Sequence, residues 1–363
     1  MNRALFFVNS MGIGGAERVC VTLANALGSG WQCDFITLYA EADRGYSLPA
    51  NSNEYCLGLD RNASITTRIK GILSARASVN HFIKEREIKY SYSLITSHLP
   101  MSHVLTRLSC VSKRAIYVMH NAQWPHNPNK TLKYRGYIRA VYSDRVLVCV
   151  SSGIKDELVF DYGLNPSQLF VIFNPIVINA DEIADIYPPA SMPYILMASR
   201  LTRVKRIDRG IRAFLRSSAR QTHVLLIIGE GEARNELEGL IDTLGVSEMV
   251  KLMGFQENPH YWMRNADLLL STSDSEAFPV APVEALLTKT PVVLSDCDYG
   301  PREILTGRLR SYLVSPVDDI DRYARAIDLA LRGDYPFEEF DALAVSPQTI
   351  VTRYLSLQRE GHV

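Results

Sequence analysis

Short apolar runs of strand length alternate with stretches of helical periodicity from one end of the chain to the other, the pattern of parallel sheets joined by crossover helices. The first series of strands is expected at residues 4–8, 33–39, 92–96, 115–119, 146–150 and 169–173, with helices in the gaps. A second series begins at Tyr194 and continues at residues 224–228, 250–253, 268–271, 292–295 and 312–314. At 363 residues the chain exceeds what one core usually holds, so two doubly wound α/β domains are expected. The linker falls in the stretch from Asn174 and Pro175 to Tyr187, Pro188, Pro189 and Pro193. Such domains bind ligands outside the carboxyl ends of their strands, which places the expected site in a cleft between the two. The expected division is 1–180, 181–345 and a C-terminal helix at 346–363 that packs back on the first domain.

Composition narrows the class. No apolar run approaches the roughly 20 residues that cross a bilayer, and the start of the chain reaches Asn9 and glycines too early for a signal peptide, so a cytoplasmic protein is expected. Cys20, Cys33, Cys56, Cys110, Cys149 and Cys297 show no Cys-x-x-Cys pair and read as reduced core thiols. Net charge is zero, yet residues 61–145 carry 15 Lys and Arg against 3 Asp and Glu. That bias signals an anionic partner, or else a dispersed solvated surface.

The most informative motif runs from Ser275 to Glu284, where Glu276 and Glu284 flank a small apolar turn, Ala277-Phe278-Pro279-Val280-Ala281-Pro282. The first acid is expected to end a strand, and the second to enter a helix that opens after Pro282. Free N–H groups at that turn suit a phosphate, and the carboxylates suit the paired hydroxyls of a sugar or ribose. Taken alone, the pair reads equally as a strand-end acid and a solvated helix acid.

Other turns lie at expected strand ends. Gly12, Gly14 and Gly15 lead into a helix at 16–27 and can cradle a phosphate or make a plain tight turn, since neither the dinucleotide spacing nor a P-loop ending is present. Arg200, Arg203, Lys205 and Arg206 crowd one strand-to-helix turn, a locally unfavourable grouping unless an anion sits among them. Arg200 and Lys205 make a diphosphate clamp, one a planar fork and the other a point charge. Gly229-Glu230-Gly231 and Gly254-Phe255 border a flat base through backbone groups, or are ordinary strand-end turns. His120 follows a strand and faces the cleft as a hydrogen-bonding residue; His98, also after a strand, is the weaker candidate. Asp296-Cys297-Asp298 and Asp319-Ile320-Asp321 are too short a pattern to indicate a metal, and none is expected.

Together these residues resemble the retaining glycosyltransferases of the GT-B fold, specifically glycosyltransferase family 4 (glycosyl transferases group 1). The resemblance rests on the Gly14-Gly15-Ala16-Glu17 loop, His120, Ser199 to Lys205, Gly229-Glu230-Gly231, Glu276 to Glu284, and Gly300-Pro301-Arg302-Glu303-Ile304. It implies two Rossmann-like domains, an N-terminal one for the acceptor and a C-terminal one for the donor. It implies Arg200 and Lys205 on the donor diphosphate, Glu284 on the ribose, Glu276 on the transferred sugar and His120 near the reacting carbon. Gly14 and Gly15 would close on the phosphates or acceptor. Gly229, Glu230, Phe255, Phe278, Pro279 and Val280 would complete the donor site. Ala277 stands where relatives often carry Gly, which leaves sugar selection at that turn open.

The resemblance further implies a hexose or N-acetylhexosamine donated by a UDP-sugar to a lipid-linked, lipopolysaccharide or capsule glycan. Neither cofactor nor metal is expected, and no nucleic acid partner. Anionic acceptors at a membrane would give the basic stretch a use, at roughly 1 kcal/mol per Lys or Arg near the leaflet. Two other classes compete: an epimerase or oxidoreductase on the same units, opposed by the missing dinucleotide spacing, and a non-catalytic glycan- or membrane-binding relative, opposed by the intact Arg200, Lys205, Glu276 and Glu284.

Overall fold

Continuous apolar strands need cover on both faces, and the chain supplies it twice. The computed structural model describes residues 2–12, 14–41, 45–121, 128–178 and 192–359, with residues 128–133 as backbone alone. These divide into one unit of Met1–Pro175 with Leu343–Val363, and a second of Ile176–Ala342.

The first unit runs β1 (Asn2–Val8), α1 (Gly15–Leu27), β2 (Trp31–Thr37), β3 (Ser52–Cys56), α2 (Ile65–Glu87), β4 (Leu94–His98), α3 (Pro100–Leu108), β5 (Ile116–Met119), α4 (Pro128–Tyr142), β6 (Val146–Cys149), α5 (Ser152–Phe160) and β7 (Leu169–Val171). Its seven strands are parallel in the order β3-β2-β1-β4-β5-β6-β7. Ala4 to Val8 in the centre are fully buried. β3 has no apolar run and is not among the expected strands. As an edge strand it is held by polar bonds: Asn53 Nδ2 donates to Asp34 Oδ1 (2.9 Å), and Glu54 accepts from Thr37 (2.8 Å). Buried Asp34 also accepts from Arg3 and Tyr92, both at 2.7 Å.

The second unit runs β8 (Tyr194–Ala198), α6 (Ile207–Arg216), β9 (Val224–Ile228), α7 (Arg234–Leu244), β10 (Val250–Gly254), α8 (Pro259–Arg264), β11 (Leu268–Ser271), β12 (Ser275–Glu276), α9 (Val280–Leu287), β13 (Val292–Ser295), β14 (Asp298–Tyr299), α10 (Pro301–Ile304), β15 (Leu313–Val314) and α11 (Ile320–Ala330). Six parallel strands take the order β10-β9-β8-β11-β13-β15, and β12 pairs with β14 apart from them. The last helix, α12 (Pro347–Arg359), belongs to the first unit and packs on α1. Its Gln358 accepts from Ile95 N and donates to Arg114 O, while Arg353 donates to Val171 O at 2.7 Å.

In each sheet the strand order reverses beside the first strand, between β1 and β4 and between β8 and β11. Those switch points leave a crevice at the carboxyl ends of the strands. The motif between Glu276 and Glu284 is built differently from expectation. Glu276 lies in the separate strand β12, not at the end of β11, and α9 opens at Val280 with Pro279 as its N-cap. Pro282 is tolerated inside the first turn because an N–H there has no intrahelical partner. Of the six cysteines, Cys56 and Cys110 are exposed and the other four buried. Pro188, Pro189 and the 180/181 boundary lie outside the described residues, as do Trp124 and Pro125 after His120.

Candidate functional site

In the second unit the turns at the ends of β8, β9 and β10 are tied by backbone bonds. Ser199 N donates to Ile228 O, Leu201 N to Glu230 O (2.9 Å), and Gly229 N to Gly254 O (2.8 Å). Gly229 has φ +126°, and a Cβ there would lie 1.9 Å from the Ser199 carbonyl oxygen, so only glycine lets the turns approach this closely. The turn after β8 carries Arg200, exposed, then a single 3-10 turn at Arg203–Lys205 and Arg206 in left-handed conformation before α6.

The loop after β11 is sewn to this turn. Asp274 N donates to Val204 O (2.9 Å) and Thr272 Oγ1 to Arg206 O (2.7 Å). Arg209, 2% exposed, donates to Thr272 O, Asp274 and Asp318 at 2.6–2.8 Å. This brings Lys205 Nζ to 2.6 Å from Glu276 Oε1, and Ser273 Oγ donates to the same oxygen at 2.6 Å. Seventy-one residues apart in sequence, Lys205 and Glu276 form one charged pair at the switch point. The crowded cations, expected to hold an anion or to form a solvated basic face, have protein partners: Arg203 meets Glu236, and Arg206 meets Asp208 and Asp274. Carboxylates within the unit therefore offset the electrostatic cost of that turn.

The turn between the two glutamates is anchored through Gly300, whose N–H donates to Glu276 O at 3.0 Å. A Cβ at Gly300 would stand 2.8–2.9 Å from Pro279 Cδ, Ala277 O and Phe278 Cα. Phe278 and Pro279 are buried and Val280 half-buried, while Phe255 after β10 is 65% exposed. The expected cradle of N–H groups is thinner than the sequence suggests. Val280 N donates to Phe278 O at 3.0 Å, and Pro282 has no N–H. Glu284 sits in mid-helix, 4% exposed, with His260 Nε2 3.2 Å from its Oε1. Glu230, exposed, accepts from Arg234 at 2.6 Å.

In the first unit, His120 follows β5 and is half-buried. Its Nε2 lies 2.8 Å from Nδ1 of fully buried His98 at the end of β4. Burial holds both rings neutral, pushing His120 down to about 4 and His98 well below the usual histidine range. Buried His103 is lowered to about 3, although its Nε2 donates to Ser97 O at 2.9 Å. Across the switch point, Asn9 Oδ1 accepts from both N and Oγ of Ser102. Gly14 is the N-cap of α1, and Gly15 opens the helix. The carboxylate of Glu17 folds over Gly14, so this helix start already faces an acid of its own chain. Burial raises that carboxyl, and Arg61 partly counters the shift.

Arg200, Lys205, Gly229, Glu230, Phe255, Phe278, Pro279, Val280, Glu276 and Glu284 thus lie in the second unit, and Gly14, Gly15 and His120 in the first. Sequence reasoning quoted Glu17 only as part of the glycine loop, and it missed Arg209, Ser273 and His260. Arg209 left a signal, a lone cation inside the apolar stripe of Ile207, Gly210, Ile211 and Phe214. Ser273 and His260 left none. Among the described residues, no group of three or more His, Cys, Asp or Glu is placed to hold a metal ion.

Residues 180–342 match the family described as Glycosyl transferases group 1, and residues 13–179 match Glycosyltransferase Family 4. An uncharacterized glycosyltransferase of Methanocaldococcus jannaschii is 37% identical over 111 residues, 30% of this chain and 27% of that protein's length. An N-acetylgalactosamine-N,N'-diacetylbacillosaminyl-diphospho-undecaprenol 4-alpha-N-acetylgalactosaminyltransferase of Campylobacter jejuni is 24% identical over 321 residues, covering 84% of this chain and 83% of its own. Among solved structures, Anabaena HepE in complex with UDP and glucose shares the fold, with a TM-score of 0.68 at 17% identity over 99% of this chain and 98% of that one.

Proposed function

The chain belongs to the GT-B glycosyltransferases of family 4, and on that premise we propose that it transfers a hexose or N-acetylhexosamine, with retention, from a UDP-sugar to a lipid-linked, lipopolysaccharide or capsule glycan. The observation that carries the reading is the Lys205–Glu276 pair at the β8/β11 switch point, beside Arg200 and the Glu230 and Phe278 turns. A diphosphate entering there takes Lys205 and Arg200 as counter-ions, which frees Glu276 for a sugar hydroxyl; Ser273 keeps the carboxylate aimed. Glu284 takes the ribose hydroxyls with what little of its carboxylate is exposed.

The bond from the anomeric carbon to the diphosphate breaks as the acceptor oxygen attacks the same face, and the acceptor proton passes to the leaving phosphate oxygen. Arg200 and Lys205, which meet the departing charge, do most of the work, so neither glutamate needs to be a nucleophile and no metal step is invoked. Undecaprenol-linked substrate in the name of the Campylobacter relative supports a lipid-linked acceptor.

Peripheral attachment to the cytoplasmic membrane face accompanies this reading. Among the described residues no helix is long and apolar enough to cross a membrane. α2 exposes Ile65, Ile69 and Leu73 at four-residue spacing among Lys70, Arg76 and Lys84, with no acid between residues 61 and 84. Vesicles rich in anionic lipid should sediment the chain and release it at high salt, and neutral vesicles should not; equal binding to both removes the electrostatic part.

Thermal shift against UDP-, GDP- and ADP-sugars tests the donor, because a ligand bound at 100 times its Kd stabilises by about 2.7 kcal/mol. UDP-sugars should raise the melting temperature, and Lys205→Ala and Glu284→Ala should each abolish the shift and the transfer. Full transfer in both variants overturns the site, and binding without transfer to any acceptor favours a non-catalytic relative.

A further inference from the structure

His98 does not reach solvent, yet it is bonded to the one candidate residue that carries the first unit's share of the chemistry. β4 and β5 are parallel neighbours in the register Thr96↔Ile116 and His98↔Val118, so Thr96 and His98 point to one face of the sheet, with His120 just past the end of the next strand. Thr96 and His98 are both fully buried. Thr96 Oγ1 lies 3.0 Å from His98 Nε2, and His98 Nδ1 lies 2.8 Å from His120 Nε2. The two imidazole rings lie edge to edge and nearly coplanar, with centroids 5.1 Å apart and planes at 25°.

Proton positions in this row follow from counting. A neutral imidazole carries one N–H, and the burial that holds these rings neutral allows one proton between them. Among the described residues, His98 Nε2 is the partner available to the Thr96 hydroxyl. A buried O–H left without an acceptor costs more than one that donates, so Thr96 donates to Nε2. His98 must then hold its proton on Nδ1 and donate it to His120 Nε2. That leaves the proton of His120 on its Nδ1.

We propose that His98 is a positioning residue that, with Thr96, locks His120 as the Nδ1–H tautomer, so that His120 presents a hydrogen-bond donor to an oxygen of the transferred sugar. This rests on the reading of His120 as a sugar-contacting residue. The reverse row would make His120 an acceptor at the same place and would favour a hydroxyl proton in its stead. His103 takes no part, since its Nε2 is committed to the Ser97 carbonyl and its Nδ1 therefore accepts from Tyr142.

The test is a long-range 1H–15N spectrum of the full chain with labelled histidine, which reads each ring's tautomer whatever the activity. Wild type should show His120 protonated at Nδ1. Asn in place of His98 carries its amide NH2 near the position of Nδ1, so His98→Asn should keep that tautomer and hold kcat within about threefold. His98→Leu and Thr96→Val should mix the tautomers, and His98→Leu should lower kcat about tenfold or more with the donor KM little changed. If His98→Leu fails to fold, Thr96→Val and His98→Asn carry the comparison. His120 protonated at Nε2 in wild type overturns the proposal, as does His98→Asn losing kcat as His98→Leu does. A wild-type chain that transfers no sugar overturns the proposed function instead, and the tautomer spectra still judge the lock.

Discussion

His103 and His120, lowered to about 3 and about 4 by burial, stay neutral in the folded chain where they would be charged in the unfolded one. Between the ordinary histidine pKa of about 6.5 and those values the unfolded state binds more protons, so stability falls as the pH falls through that window. Each contributes a loss of about 2 kcal/mol from pH 8 to pH 5, and His98, shifted the same way, adds to it. Denaturant unfolding measured across that range should lose stability on the acid side, and His120→Asn should make the loss shallower; a flat profile contradicts the assignment. Glu17 shifts in the opposite sense, since burial raises it, and so it opposes the trend only near the carboxylate range. At this scale the sequence exposed His120 and the cations but not their partners. Arg206 looked like part of an anion site and proves to serve Asp208 and Asp274.

Among the elements, the turn between β12 and α9 depends most on tight approach. Gly300 packs against the backbone of Ala277 and Phe278, so Gly300→Ala must displace either β14 or that turn. It should cost about 1–3 kcal/mol and lower transfer more than its stability loss explains, because Glu276 moves with the strand. Gly239→Ala is the control: it lies within α7 with nothing within 4 Å of the added Cβ, and it should raise stability by up to about 1 kcal/mol with transfer unchanged. Unfolding curves and donor kinetics on the two variants decide the point, and equal behaviour refutes it. β3 and the β12–β14 pair escaped sequence reasoning for one reason. The two-residue strands β12 and β14 and the polar edge strand β3 have no apolar periodicity, and they exist only because a neighbour offers them backbone or polar partners.

For the whole molecule, the first unit is made of two separated pieces of chain. Ile350, Val351, Tyr354 and Leu357 of α12 are buried, and Arg353 and Gln358 bond to backbone groups of β7, β4 and the approach to β5. Ending the chain at Ala342 should therefore expose apolar surface on α1 and leave the first unit unable to melt cooperatively, while residues 176–342 alone keep a cooperative transition. Calorimetry of both chains checks this, and a cooperative first unit without α12 refutes it.

Alternating apolar runs were enough to reveal two parallel α/β units and most of their strands, because burial on both faces of a sheet writes itself into consecutive residues. Turn motifs at the strand ends likewise named Lys205, Glu276, Glu284 and His120 as candidates, since unusual charge at a strand end is visible locally. Only the tertiary structure decided which of these touch. The Lys205–Glu276 pair spans 71 residues and the His98–His120 pair 22, and both distances close because β8 lies beside β11 and β4 beside β5. Strand order is a choice among many packings of the same local pattern. It is made by long-range burial and by buried polar partners such as Arg209 and Asp34, and no short stretch of sequence contains it.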